Sequence, residues 1–519
     1  MWTNRRGVPD IPERMWRQRM SIKALASTCC PPFLRPTFER IENSPLGSRL
    51  AHGAFWSLFG AVVARFLSFT SFVIVARVLG KGGYGEFGII QSTVGMFGVF
   101  AGFGLGQTAT KYIAELRETN PARAGKIMGM AGAVAVATGI VMGIALFAFA
   151  PWLAEETLAN PALAPLLRIG SVILVLEAMN GAQLGALSGF EAFRTIAAIN
   201  IWTGLASFPC MIAGVYLGGI HGAVWGLAVN RAINWLLNHL ALRREARRAG
   251  VPFVFSGSRE ELSVLWHFSL PSMLAGAMVS PTIWVCNAML VNQSDGYDQM
   301  GIFQAASSFK IMLFFIGNTL SAPLLPMLAN MLGSGQHNER FARINILSTW
   351  FLGAVPAVVL FGMPEIAEAM FGKEYAGRDF VNTFMLTVFC ACVVIYKQGL
   401  ARVLSAHGLM WWGMLSNLVW ALILIGSTWL LVSHGAFGYA VAWTVAYVLN
   451  TIVFIPLYVR RNLVPKGTIV SWEAGVIWLL LIGSMLLGAA EVPLVWRLAS
   501  IPVSVSVMCW LFRRLLKGS

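Results

Sequence analysis

From Ile127 to Ala154 the chain carries no charged residue. About 18 to 20 apolar residues in a helix are enough to cross a hydrocarbon core roughly 30 Å thick. Runs of that length recur along the 519 residues. Composition agrees: 57% of the residues are hydrophobic and 12% charged, against about 25% charged in a soluble domain. The sequence therefore reads as an all-α polytopic membrane protein.

Fourteen helical spans are expected, at residues 50–79, 84–109, 126–150, 165–189, 195–218, 220–241, 262–292, 299–331, 341–362, 379–404, 408–432, 436–459, 471–490 and 492–511. The net charge of +15 fits cytoplasmic loops better than nucleic acid. With the N-terminus inside, 28 of the 38 Lys and Arg fall in the N-terminal tail, the even-numbered loops and the C-terminal end; six lie opposite and four within spans. Such an excess of basic residues sets orientation, so both termini are expected in the cytoplasm. Residues 1–48 are Arg- and Pro-rich with no apolar core. They read as a disordered cytoplasmic tail rather than a cleavable signal, with Met15 and Met20 as alternative starts. Of the seven cysteines, Cys210, Cys286, Cys390, Cys392 and Cys509 lie in apolar runs and none forms C-x-x-C. They read as packing residues, not disulfides or metal ligands.

The chain also repeats. A shift of 216 residues lays Leu58, Ala61, Val63 and Val75 on Leu274, Ala277, Val279 and Val291, and Gly85, Phe87, Ser92 and Met96 on Gly301, Phe303, Ser308 and Met312. Gly222 and Asn234 fall on Gly438 and Asn450; one residue more aligns Leu187, Ser188 and Asn200 with Leu404, Ser405 and Asn417, and Arg243-Arg244 with Arg460-Arg461. Six spans per repeat is an even number, so both units enter the membrane from the same side. Two parallel six-helix lobes are expected at 49–245 and 262–461, with two additional helices at 471–511. Lobes of this kind enclose a cleft reached alternately from each face, the architecture of a transporter. A membrane polymerase does not need it, and the longest internal loop is too short for a soluble catalytic domain. Walker A, H-E-x-x-H and Ser/His/Asp patterns are missing from the sequence, so neither cofactor nor metal is expected. His52, His221, His267 and His407 stand near span ends with no ligand pairing.

Five ionisable residues lie well inside spans: Arg65, Glu177, Arg231, Lys310 and Lys397. A charge near the bilayer centre costs at least about 2.5–3.5 kcal/mol and faces a bundle interior or a wet cavity. Glu177 and Arg231 either pair with each other or serve the cleft. Four bases against one acid suit a visiting anion, which makes Arg65, Lys310, Arg231 and Lys397 the candidate substrate-binding set. Snorkelling competes for Lys397, and Arg168 and Arg402 read as interface anchors. Pro271, Pro281, Pro323 and Pro326 interrupt spans 7 and 8 and are expected to bend helices beside the cleft, as static kinks or as hinges.

The run "GAFWSLFGAVVARFLSFTSFVIVARVLGKGGYGEFGIIQSTVGMFGVFAGFGLGQTATKYIAE" resembles the first two helices of the polysaccharide transporter family, flippases of the multidrug/oligosaccharidyl-lipid/polysaccharide superfamily. Its matching pieces are "ARVLG" closing the first helix, "YGEFG" opening the second, and "GFGLG" before the basic end at Lys111. The resemblance implies a flippase of the bacterial inner membrane that moves undecaprenyl-pyrophosphate-linked oligosaccharide outward for lipopolysaccharide, capsule or exopolysaccharide assembly. It implies an ion gradient as the driving force, with Glu177 as the coupling candidate, and polymerase and glycosyltransferase partners around a monomeric transporter in membrane lipid. A lipid II flippase and a multidrug-extrusion cation antiporter are the alternatives of the same superfamily; the antiporter would want an Asp in the first helix, where none stands.

One motif points elsewhere. Gly80, Gly82 and Gly85 spell the dinucleotide fingerprint G-x-G-x-x-G, which has meaning only between a strand and a helix. Here it lies between two helical spans. Its repeat partners Gly296, Asp298 and Gly301 keep only part of it, as a helix-hairpin turn can and a cofactor loop should not.

Overall fold

The computed structural model describes residues 45–252, 261–321, 324, 328, 339–490 and 492–517, and among them every regular element is helical. In chain order these are α1 Pro45–Gly102, α2 Leu105–Leu116, α3 Pro121–Trp152, α4 Ala164–Gly189, α5 Phe193–Arg248, α6 Leu270–Ala277, α7 Ser280–Val291, α8 Gly296–Ser321, α9 Glu339–Gly362, α10 Pro364–Phe371, α11 Arg378–Ala406, α12 Met410–Leu431, α13 Gly435–Arg460, α14 Trp472–Ala489 and α15 Leu494–Lys517. Among the described residues ten helical stretches are long and apolar enough to cross a membrane.

Three of those stretches are too long to be single crossings: Ala61–Gly102, Phe193–Arg248 and Met410–Arg460 have 42, 56 and 51 residues. At 1.5 Å per residue each exceeds a ~30 Å core about twofold or more. Each is a hairpin. In α1 the turn is Gly80, at φ 70°, a left-handed conformation natural to glycine; Phe72 and Phe87 then meet across it, ring centroids 6.3 Å apart. In α5 the turn is Gly218-Gly219, and Gly214 and Gly222 bring the two arms into backbone contact. Between α12 and α13, Gly435 turns at φ 64°, and the Ser427 hydroxyl donates to the Ala442 carbonyl across the pair.

Two expected spans are broken, span 2 where the sequence shows no obvious reason and span 7 beside its prolines. Span 2 stops at Gly102 and restarts as α2, because Phe103 and Gly104 take positive φ. The Ala101 carbonyl beside this break accepts from the Thr138 hydroxyl of α3 at 2.6 Å. Span 7 runs as a π-helical turn Leu265–Ser269, then α6, then α7, with Met278 and Val279 between the last two. Pro271 lies in the first turn of α6 and Pro281 in that of α7. Pro281 therefore starts a helix, where its missing N–H costs nothing, and the bend falls just before it, while Pro271 follows directly on the π-helical turn. Pro323 and Pro326 lie outside the described residues.

The hairpin ends of α1 and α8 meet in a seam. Two close contacts there join a residue to the one that the 216-residue shift lays on it, Gly82 to Asp298 and Gly88 to Gln304, and a third brings the Gly85 and Gly301 backbones together. A methyl group on Gly82 would lie 2.9 Å from the Asp298 carboxylate, and one on Gly88 would lie 3.4 Å from the Gln304 side chain. A methyl on Gly85 would overlap the Tyr297 carbonyl, while one on Gly301 would overlap the Lys81 carbonyl. Only glycine allows two helices to approach this closely.

Loops lock the seam reciprocally. The Tyr375 hydroxyl donates to the carbonyls of Ala76 and Gly80 at 3.3 and 3.2 Å, and burial pushes this phenol well above its ordinary pKa, keeping it a donor. Arg77 donates to the last carbonyls of α10, those of Met370 and Ala369, where a cation suits the helix dipole. From the other side, Tyr297 donates to the Leu158 carbonyl at 2.6 Å and Asn292 to that of Thr157 at 2.7 Å.

Helices α14 and α15 are fixed to the second half of the chain. Arg343 of α9 donates to the Leu515 and Lys466 carbonyls, and Arg497 pairs with Glu365 of α10. Burial raises the Glu365 carboxyl, but the hydrogen bond and charge of Arg497 outweigh it and hold the group below its ordinary 4.5.

Candidate functional site

The charged residues inside the spans form three separate arrangements. The first is Arg65 on α1. Its half-buried guanidinium reaches across to α8 and lies over the Phe315 ring, 5.9 Å from the centroid. One turn along, Phe69 packs on Phe309 edge-to-face at 5.4 Å. Arg65 therefore lies where the two halves face each other, and among the described residues no carboxylate pairs with it.

The second arrangement is the Glu177–Arg231 pair. Glu177 on α4 and Arg231 on α5 approach to 3.0 Å, with 30% and 39% of their side chains exposed. The Arg231 Nε hydrogen is not aligned for a hydrogen bond, so the contact is electrostatic and loose. A polar line continues from it: Asn180 donates to the Arg231 carbonyl, and Asn238 donates to both Asn180 and Asn234 at 3.1 and 2.5 Å. The expected alternative of an internal pair is what this conformation contains.

The third arrangement lies inside the second half. Lys310 on α8 is 7% exposed. Its Nζ sits 4.0 Å over the Trp443 ring of α13 and 5.3 Å from the Phe303 ring. Lys397 on α11 lies over Tyr447 at 5.7 Å and donates to Asn450, which Ser416 also holds. Trp443 and Tyr447 are 6.0 Å apart, so both lysines belong to one aromatic cluster. The groups that hold the two lysines are different from the Phe315 ring that holds Arg65. A 3.6-residue repeat explains this for Lys310: Phe309 and Phe315 of the same helix face α1, which turns Lys310 towards α13.

Arg402, expected to anchor at an interface, is instead turned inward. It donates to the Asn345 side chain at 2.8 Å, to Ser321 at 3.2 Å, and to Thr349 and the Asn345 carbonyl. Arg168 stacks over Phe147 at 5.1 Å. Sequence reasoning missed the asparagines. The signal was available in the repeat, where Asn234 falls on Asn450 and, one residue further on, Asn180 on Lys397.

Span 7 ties the halves together beside these groups. Towards the basic ends of the helices, Arg123 of α3 grips Glu261 through two hydrogen bonds of 2.9 and 3.0 Å, and Ser269 meets Thr108 at 2.7 Å. Towards the seam, Asn287 donates to Ser92 at 2.8 Å and accepts from Tyr439 at 2.7 Å, while Trp284 donates to Thr93 at 2.9 Å. An apolar groove of about 300 Å³ between α9 and α15, lined by Leu347, Phe351 and Phe512, lies away from all of these charges. Among the described residues no cluster of His, Cys, Asp or Glu could hold a metal.

The chain is similar to known proteins in sequence and in fold. The chain is 24% identical over 420 residues to the EPS I polysaccharide export inner membrane protein EpsE of Ralstonia solanacearum, covering 79% of this chain and 94% of that one. It is 22% identical over 421 residues to the lipid III flippase of Escherichia coli K12, covering 77% and 96%. Its fold matches the lipid II flippase MurJ in an inward closed conformation with a TM-score of 0.66 at 14% identity, over 87% of this chain and 97% of that one. The family model described as polysaccharide biosynthesis protein matches residues 50–332, more than half of the chain. The chain is a member of the polysaccharide biosynthesis protein family.

Proposed function

We propose that the protein is a flippase that carries polyprenyl-pyrophosphate-linked oligosaccharide units across the bacterial inner membrane, for lipopolysaccharide, capsule or exopolysaccharide assembly. The observation that carries this reading is Arg65: a half-buried cation between the halves, without a carboxylate among the described residues, in a family whose members act in polysaccharide biosynthesis. A diphosphate-linked lipid is an anion of the kind such a position suits. The relatives named for polysaccharide export and for lipid III flipping align over nearly their whole length, which supports one transport unit and not an enzyme.

The basic ends of the helices face the cytoplasm in this reading, following the distribution of Lys and Arg. The sealed Gly82–Asp298 end is then the outer face. Substrate enters beside Arg65 and draws on Arg231 as the loose Glu177 pair opens, which leaves Glu177 free to take a coupling ion. Lys310 and Lys397 join this path only in a conformation that opens the second half. The bend before Pro281 lets span 7 follow both halves.

The test is Arg65→Ala beside Arg65→Lys in the native host. The Ala variant is expected to lose surface polysaccharide and to accumulate lipid-linked units in the inner leaflet, with membrane protein levels unchanged. The Lys variant should retain part of the export. Normal surface glycan in Arg65→Ala would remove Arg65 from the substrate path.

A further inference from the structure

Lys310 is the most deeply buried of the four bases inside the spans. It is 93% buried, and among the described residues it has neither a carboxylate nor a hydrogen-bond acceptor as partner. Aromatic faces hold it: Trp443 of α13 and Phe303 of its own helix. The titratable groups facing it are the Cys390 thiol of α11 and, around Trp443, the phenols of Tyr439 and Tyr447. The nearest other charge in the cluster is a second cation, Lys397. From α1 the Phe69 ring packs on the neighbouring Phe309.

Cation–π contact offsets about 2 kcal/mol when desolvated, whereas an uncompensated charge in a low-dielectric interior costs several. An ammonium at this position therefore gains from any conformation that lets water or an anion reach it. The same helix carries the seam. Gly301 and Gln304 lie about two and a half and just under two turns before Lys310, against Lys81 and Gly88 of the first half. A movement of α8 that hydrates Lys310 is thus a movement that disturbs the seam.

We propose that Lys310 is a proton-binding switch for the second half of the transporter. The Lys310 amine takes a proton from water as that half opens and returns it to water as the seam closes. Binding and conformation are linked, so what favours one favours the other. Acid therefore shifts the population away from the sealed conformation. This proposal rests on reading the protein as an alternating-access transporter. Its test needs no substrate, so it stands or falls apart from the flippase reading.

The experiment uses the full-length protein in lipid nanodiscs carrying Gly82→Cys and Asp298→Cys, whose disulfide forms only when the seam is closed. The initial rate of cross-linking is followed between pH 6 and 9, and the single-cysteine proteins correct for thiol ionisation and native thiols. Relative to the same protein with Lys310→Met, the parent rate is expected to fall about tenfold or more towards pH 6, as one linked proton allows. Lys310→Met, near in volume and unable to bind a proton, should remain sealed at every pH. Lys310→Arg, permanently charged, should remain slow throughout. A constant ratio between the parent and Lys310→Met across the pH range would overturn the proposal, and that comparison holds even if the Arg variant fails to fold.

Discussion

At the scale of single residues, Glu177 and Arg231 show how a membrane interior can store a usable charge. Their 3.0 Å approach lacks hydrogen-bond alignment, and both side chains keep about a third of their surface. Such a pair is worth more than the ~1 kcal/mol of an exposed one and less than the ~3–5 kcal/mol lost when a fully buried one is broken. Two roles are therefore separable. If the pair only holds α4 to α5, neutralising both partners should restore what neutralising one destroys. If Glu177 binds the coupling ion, it should not. We expect Glu177→Gln/Arg231→Gln to express and melt within a few degrees of the parent but to export no surface glycan. Recovery of export in the double variant would assign the pair to structure alone. That these two residues could meet was readable from the sequence, since a lone acid among four bases restricts the options. The loose geometry was not, because it depends on how the asparagines at 180, 234 and 238 fill the remaining space.

At the scale of helices, the apolar runs defined crossings and hairpins well, and glycine identified the turns at Gly80, Gly219 and Gly435. The breaks within crossings were less legible. The interruption at Phe103-Gly104 is matched by a hydroxyl on another helix, Thr138 donating to Ala101. The bend before Pro281 is stabilised by Thr282 donating to the Met278 carbonyl at 2.7 Å. A sequence shows that a carbonyl could be freed; it does not show which distant side chain will satisfy it. The seam gives the sharpest test at this scale. A side chain at Gly85 would overlap the Tyr297 carbonyl, a backbone atom that cannot swing aside. Gly85→Val should therefore keep the helix content but prop the seam open. We expect a loss of export and a melting temperature lowered by several degrees, for overpacking of about 1–3 kcal/mol. Circular dichroism checks the first point and thermal unfolding the second. An unchanged melting temperature would mean that the helices do not close this tightly in the membrane.

At the scale of the whole molecule, the two halves are tied at both ends of span 7 as well as along the seam. The Glu261 carboxylate is 91% buried and Arg123 supplies two aligned hydrogen bonds, so removing Arg123 leaves an uncompensated buried acid. Arg123→Glu should destabilise the folded protein by about 1–2 kcal/mol, because Arg123 is itself half exposed, and reduce export. The exchange Arg123→Glu with Glu261→Arg should recover most of both, as read by thermal unfolding and by surface glycan. Failure of the exchange to rescue would show that the contact is not specific to the pair. The sequence made the six-plus-six plan visible through the 216-residue shift but not this tie, since Arg123 and Glu261 have no repeat relation that would mark them.

The seam carries one further consequence. A residue that meets its own counterpart must be compatible with itself for as long as both copies are identical. Two aspartates at the 82 and 298 positions would repel; two glutamines at 88 and 304 would collide. Here one copy supplies the hollow and the other the filling, Gly82 beneath Asp298 and Gly88 beside Gln304, while Gly85 and Gly301 both stay small where backbones touch. Self-complementarity is thus given up position by position along the line where the halves meet. Divergence of the copies at that line allows a nearly symmetric fold to shut tightly.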